Sequence, residues 1–158
     1  ALFNQDRFEF QYWALSLVNA RPIKGPGEKG PDRGIDGVIF FMDDPSGKTK
    51  KIIAQVKGGE NITVKDIRDL VGVLDREKAQ MGLFLTIHPP TGAMKTEAAS
   101  AGIYRSEHWN TDYPRVQIVQ IGELLNGLMP NIPPNVKLPR KQAERAKPKV
   151  EQLELADL

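Results

Sequence analysis

Residues Gly34 to Gly59 read GIDGVIFFMDDPSGKTKKIIAQVKGG, two apolar runs joined by a polar one. Asp36 opens the first run, Gly37 to Met42, and Gln55 and Lys57 close the second, Lys51 to Lys57. Between them DDPSGKTK carries the Asp, Pro, Ser and Gly of turn chemistry. The pattern predicts a β-hairpin with an acid, an amide and an amine near one end. A two-residue turn centred on Ser46-Gly47, where Gly accepts positive φ, sets Asp36 opposite Lys57 and Val38 opposite Gln55. Side chains alternate faces along a strand, so Gln55 and Lys57 share one, and directly opposed residues share a face with Cβ atoms roughly 5 Å apart. All three polar groups then project together, an arrangement that a one-residue slip would destroy.

Upstream, Asp6-Arg7-Phe8-Glu9 has the form of a capping box. A broad apolar helix follows and is expected to end near Arg21-Pro22, because the residue before Pro leaves the α region. Lys24 to Asp36 is a Gly/Pro loop. Downstream, Gly58-Gly59 stops the second strand, and Thr63 to Lys78 is a helix with Thr63 as cap and Asp66 in the reciprocal position. Ile67, Leu70, Val71 and Leu74 mark its apolar face. Gly82 to Ile87 is apolar throughout, which predicts a parallel strand buried on both faces. Thr91 to Ala101 is a short helix stopped by Gly102, Arg115 to Ile121 a strand, and Glu123 to Leu128 a helical turn. HWNTDYP reads as a polar loop whose Trp109 and Tyr113 either stack on bases or, the reading preferred, pack against the first helix. The predicted order is α, β, β, α, β, α, β. One domain over 1–129 is followed by a Pro/Lys/Arg-rich, poorly ordered tail over 130–158.

The 158 residues suffice for one domain with a core, and 40% hydrophobic with 27% charged residues is ordinary for a globular chain. A net charge of +2 does not identify a nucleic-acid binder, but its distribution is uneven. Lys48, Lys50 and Lys51 border the hairpin turn and are candidate phosphate contacts; Lys137 to Lys149 is a basic stretch of the tail. The chain has no cysteine, which excludes disulfides and cysteine-zinc sites, and no run long enough to span a bilayer. A cytoplasmic location is expected. The start at Ala1, directly in a helical pattern, reads as a fragment of a longer protein. Ser46-Gly47-Lys48-Thr49 resembles the end of a P-loop, but Met42 stands where Gly is required and a strand follows instead of a helix.

A carboxylate, an amide oxygen and a backbone carbonyl suit Mg²⁺, which takes oxygen ligands and retains water. Asp36, Gln55 and the Val56 carbonyl are the candidate ligands, with Mn²⁺ able to substitute, and Lys57 adds positive charge where a cleaved phosphodiester builds negative charge. Taken singly, each residue has a plainer reading. Asp36 is a turn acid before Gly37, Gln55 a solvent-facing strand residue, Lys57 an edge-strand charge, and Glu9 part of a cap. Three residue types, two spacings and one shared face are hard to obtain by coincidence.

The order Gly-x-Asp-Gly, hairpin, Gln-x-Lys resembles the restriction-endonuclease superfamily with PD-(D/E)xK sites, and within it the branch named for the Mrr restriction enzyme, where Gln replaces the usual acid. DRFEFQYWALSLVNARP, GPDRGIDG, KKIIAQVKGG and REKAQMGLFLT are similar to a nuclease-type domain at the C-terminal end of some prokaryotic DNA methyltransferases, over about residues 3 to 129. The resemblance implies an α/β fold with a restriction-endonuclease-like α-β-β-α-β-α-β core, a mixed central sheet flanked by helices. It implies a Mg²⁺-dependent endonuclease acting on double-stranded DNA, with Asp36 as metal-binding acid, Gln55 in the second ligand position and Lys57 as catalytic lysine. Glu9 matches an acid that many members place near the metal. Implied partners are a methyltransferase domain in the same polypeptide and a second copy of the chain, since cutting both strands needs two sites. Gln55 is neutral, so the alternative is an inactive module that keeps the fold and binds or targets DNA.

Overall fold

The computed structural model describes residues 2–24 and 34–134. Most of the Gly/Pro loop, nearly all of the tail and the basic stretch Lys137 to Lys149 lie outside the described residues. The chain order is α1 (Leu2–Ser16), β1 (Arg21–Pro22), β2 (Gly37–Phe41), β3 (Lys50–Lys57), α2 (Val64–Glu77), β4 (Met81–Thr86), α3 (Gly92–Ser100), β5 (Ile103–Ser106), β6 (Thr111–Pro114), β7 (Val116–Gln120) and α4 (Ile121–Leu125). The main sheet runs β1-β2-β3-β4-β7, and β5 with β6 forms a separate ribbon. Strands β1, β2 and β3 are antiparallel, whereas β3, β4 and β7 are parallel, which gives the expected mixed sheet.

The sheet separates two apolar cores. Leu15 and Val18 at the end of α1 meet Ile39, Ile52, Ala54, Leu83 and Leu85 on one face. Ile67, Leu70 and Leu74 of α2, with Met94 and Ala98 of α3, meet Val38, Ile53 and Phe84 on the other. All six residues of β4 are buried, as expected of a central parallel strand covered on both sides.

Helix α1 starts at Leu2, so Asp6 and Glu9 lie in its body and form no N-terminal box. Its exit is also earlier than expected. Asn19 adopts a left-handed conformation (φ 58). The Ala20 N–H donates to the Leu15 carbonyl at 3.0 Å and the Asn19 N–H to Ser16 at 3.2 Å, the two bonds of a Schellman ending. The chain is thereby extended before Pro22, and Arg21-Pro22 becomes edge strand β1, where a missing N–H is tolerated.

The hairpin forms with a different register. Gly37 pairs with Ala54 and Phe41 with Lys50, so the connection runs from Met42 to Thr49 instead of through two residues. Asp44 Oδ1 accepts from the Ser46 N–H at 2.9 Å and from the Ser46 hydroxyl, and Gly47 takes φ 76. Val38 comes opposite Ile53, not Gln55, and continuing the register puts Asp36 opposite Gln55, not Lys57. The slip is two residues, one full side-chain period, so the faces along the paired strands are kept although the partners change, and Asp36 lies just before the last paired residue, Gly37.

In α2 the Thr63 N–H donates to Asp66 Oδ2 at 2.9 Å, and Val73, not Val71, joins the buried face. The polar loop expected at HWNTDYP is instead part of the β5-β6 ribbon. Tyr113 is buried in the core that holds Leu15 of α1 and Val18 just beyond the helix, while Trp109 is 39% exposed near the ribbon tip.

Candidate active site

The antiparallel ladder between β2 and β3 opens at Asp36. Its own N–H still donates to the Ala54 carbonyl at 3.1 Å. The next inward donor on β3, the Val56 N–H, is met by Asp36 Oδ2 at 2.8 Å. A side-chain carboxylate thus takes a position along β3 that a backbone carbonyl holds in a continuing ladder, and it lies against the peptide between Gln55 and Lys57.

Gln55 projects on the α2 face, the face of Ile53. Its Nε2 donates to the Gly34 carbonyl at 2.6 Å. This bond orients the amide, leaving Oε1 as the acceptor end. Gly34 has φ 81, and a Cβ there would lie 2.8 Å from Val73 Cγ2 and 3.1 Å from Gln55 Nε2. Only glycine therefore fits between the amide and α2 without movement.

Lys57 shares this face at the end of β3, with a half-exposed side chain and its ammonium 3.8 Å from Asp66 Oδ1. Asp66 therefore has two tasks: one oxygen caps α2 at Thr63, and the other faces Lys57. In the sequence Asp66 carries only the signal of a helix cap. Its placement three residues into the helix that follows Gln-x-Lys is the local clue that it also faces the strand end.

The donors at this end are oxygens of one carboxylate, one amide and the backbone, which suits a hard divalent ion that keeps several waters. Among the described residues no group of three or more His, Cys, Asp or Glu is arranged to hold a metal ion. Glu9 is exposed on α1, whose core contacts lie on the opposite face of the sheet from Gln55. Its neighbours Arg7, Phe10 and Gln11 line a cleft that Lys57 borders; Glu9 is not among the lining residues.

The hairpin lysines lie elsewhere. Lys50 is seven residues before Lys57 on the same strand, about 23 Å away. Its ammonium is 2.5 Å from Asp43 Oδ1 and 2.9 Å from the Tyr104 hydroxyl, which itself donates to Asp43 Oδ2. Asp43 is 3% exposed. Burial pushes its carboxyl up, but hydrogen bonds with Lys50, Tyr104 and Ser106 outweigh that and leave the pKa below the ordinary value. Burial likewise works against the Lys50 ammonium, and the Asp43 and Tyr104 bonds raise its pKa in spite of it. Burial and the Asp43 bond raise the Tyr104 hydroxyl. Lys50, expected as a phosphate contact, is thus committed to a buried network that ties the hairpin to β5. Lys48 is exposed and Lys51 half-buried, both at this far end.

A family model of the Mrr-type restriction-endonuclease catalytic domain matches residues 4–112. The chain belongs to that family. Among solved structures, this restriction-endonuclease domain is similar to the MspJI restriction endonuclease in complex with a 27-mer oligonucleotide, with 14% identity, a TM-score of 0.46, and coverage of 78% of this chain and 30% of that one. The FokI restriction endonuclease follows with 15% identity, a TM-score of 0.42, and coverage of 74% and 22%. The chain thus spans less than a third of either protein's length. No curated protein matches it. The family is one of nucleases, and its matched span contains Asp36, Gln55, Val56, Lys57 and Asp66.

Proposed function

We propose that this chain is the DNA-cleaving domain of a restriction or restriction-modification protein and hydrolyses phosphodiester bonds of double-stranded DNA with Mg²⁺, Mn²⁺ substituting. The observation that carries the reading is the bond from the Val56 N–H to Asp36 Oδ2, which holds a carboxylate against the strand between Gln55 and Lys57. Asp36, the Gln55 amide oxygen and the Val56 carbonyl would hold the ion. When bound, it supplies charge that polarises the scissile phosphate and acidifies a water.

The protein's own groups do the remaining work. The Gly34 carbonyl keeps the Gln55 amide turned with its oxygen outward. Lys57, half-exposed at the strand end, brings an ammonium to the phosphate oxygens as negative charge builds there. Asp66 restrains that ammonium from one side. Glu9 stays a candidate metal-side acid, because its place in the body of α1 removes the capping role that otherwise accounts for it. A methyltransferase domain in the same polypeptide, a dimer for cutting both strands, and cytoplasmic location belong to the same proposal.

Plasmid DNA incubated with the protein and Mg²⁺ or Mn²⁺ tests it. Wild type is expected to nick or linearise the plasmid, while Asp36→Ala and Lys57→Ala bind it without cutting. Binding by wild type with no metal-dependent cutting under any condition would overturn the nuclease reading and leave a DNA-binding module, a reading favoured by the single carboxylate among the three site residues.

A further inference from the structure

A cleft of about 560 Å³ lies where the end of β3 meets α1. Arg7, Phe10 and Gln11 form one wall, and Lys57, Gly58 and Gly59 form the other. We propose that this cleft seats the sugar-phosphate backbone of one DNA strand next to the scissile phosphate, with Arg7 and Gln11 holding the neighbouring backbone positions. The inference rests on the nuclease reading and adds to it a substrate-binding surface on α1, distinct from the hairpin lysines.

Four observations converge. First, Lys57, the residue assigned to the scissile phosphate, borders this cleft together with Val56, whose N–H donates to Asp36, so a strand reacting there passes into the cleft. Second, Arg7 and Gln11 are four residues apart and therefore on one helix face, about 6 Å apart along the axis. They present a cation and an amide, both donors suited to phosphate and sugar oxygens. Third, the opposite wall carries two successive glycines. Gly58 is covered by the Phe10 ring, where a Cβ would come 3.0 Å from Cε1, but a Cβ on Gly59 would meet nothing within 4 Å. A ligand can thus approach the peptide at Gly59. Fourth, the volume is that of a small-ligand site, enough for a stretch of one strand's backbone and too small for a duplex. Arg7 and Lys57 are the two cations among the lining residues, and Glu60, on the loop that follows the glycines, is the one acid.

The test is fluorescence anisotropy with a labelled short duplex, without divalent metal so that no cutting intervenes, over a range of salt. Circular dichroism checks that each variant folds; Arg7 is exposed and its replacement should leave the helix intact. Arg7→Glu is expected to weaken binding about tenfold or more, Arg7→Ala to reduce the salt slope by about one, and Gln11→Ala to weaken binding a few-fold. Lys95→Glu on α3, a charge change of the same size away from the cleft, serves as control and should bind as wild type. Wild-type affinity in Arg7→Glu, or a larger loss in Lys48→Glu than in Arg7→Glu, overturns the proposal. If Arg7→Glu binds normally while wild type cuts plasmid, only the cleft assignment fails; if wild type neither binds nor cuts, the nuclease reading itself fails.

Discussion

The two ends of the hairpin carry the same chemistry and treat it differently. At the turn end an acid and a lysine, Asp43 and Lys50, are packed under β5 with every strong partner supplied from within the protein: the ammonium, the Tyr104 hydroxyl and Ser106 all serve one carboxylate. At the other end Asp36 and Lys57 are kept apart. The acid is tied to the Val56 amide, the lysine reaches only as far as 3.8 Å from Asp66, and its side chain is half in water. A satisfied, buried ion pair has nothing left to offer a ligand and serves to join elements. At the Asp36 end the acid meets a backbone N–H, and the lysine, half in water, meets a different acid across 3.8 Å, so the two groups are set side by side without being joined to each other. This separates site from scaffold more reliably than residue type does, since both ends of β3 hold a lysine beside an acid.

The contrast can be broken from either end. The largest effect is expected for Lys57→Ala and Asp36→Ala, which should reduce plasmid cleavage by about a hundredfold or more. Lys57→Ala should hardly alter the melting temperature, because its side chain is half-exposed. Asp43→Asn and Lys50→Met should do the reverse. Removing one partner of a buried pair costs roughly 3 kcal/mol, read as a lower urea midpoint, while cleavage per folded molecule stays near wild type. The same pair gives a pH signature. The lowered Asp43 pKa contributes stability present above the ordinary carboxyl value of about 3.9, lost as pH falls through the still lower folded value. The raised Lys50 pKa contributes stability present below about 10.4, lost as pH rises through the folded value. Urea midpoints of Asp43→Asn against wild type should therefore converge in strong acid; a constant gap down to the lowest pH would rule this linkage out.

Smaller effects sharpen the comparison. Gly34→Ala forces a side chain into a left-handed backbone and against Val73, at a cost of about 1–3 kcal/mol. It should also lower cleavage by displacing the Gln55 amide. A loss of stability with normal cutting would show that Gln55 does not need its Gly34 anchor. The smallest change is expected for Asp66→Asn, which keeps an acceptor for the Thr63 N–H and removes the charge facing Lys57. Stability should change by less than about 1 kcal/mol, with cleavage shifting in kcat and not in KM. An unchanged kcat would reduce Asp66 to a cap.

Much of the site was legible because it depends on short-range rules. Alternation put Gln55 and Lys57 on one face, whereas Asp36 lies before the paired strand and its carboxylate meets the Val56 N–H. Helix α2 and strand β4 followed from apolar spacing and from an unbroken apolar run. The ribbon β5-β6 was not legible: its strands are short, and Tyr104 and Tyr113 are held by partners far away in the sequence, Asp43 and Lys50 for one and the α1 core for the other. Lys50 was misjudged for the same reason, since nothing near it in sequence announces that Tyr104 will cover it.

By itself the sequence determined helix α2, strands β2, β3 and β4, that a turn joins β2 to β3, and that Gln55 and Lys57 share a face, because periodicity and turn chemistry act over a few residues. Only the tertiary structure decided the pairing register, the burial of Lys50, the second task of Asp66 and the meeting of α1 with the end of β3. An eight-residue connection allows several registers. The one adopted pairs Phe41 with Lys50 and leaves the buried Asp43 carboxylate bonded to Lys50 and to distant Tyr104, a contact between groups that only folding brings together.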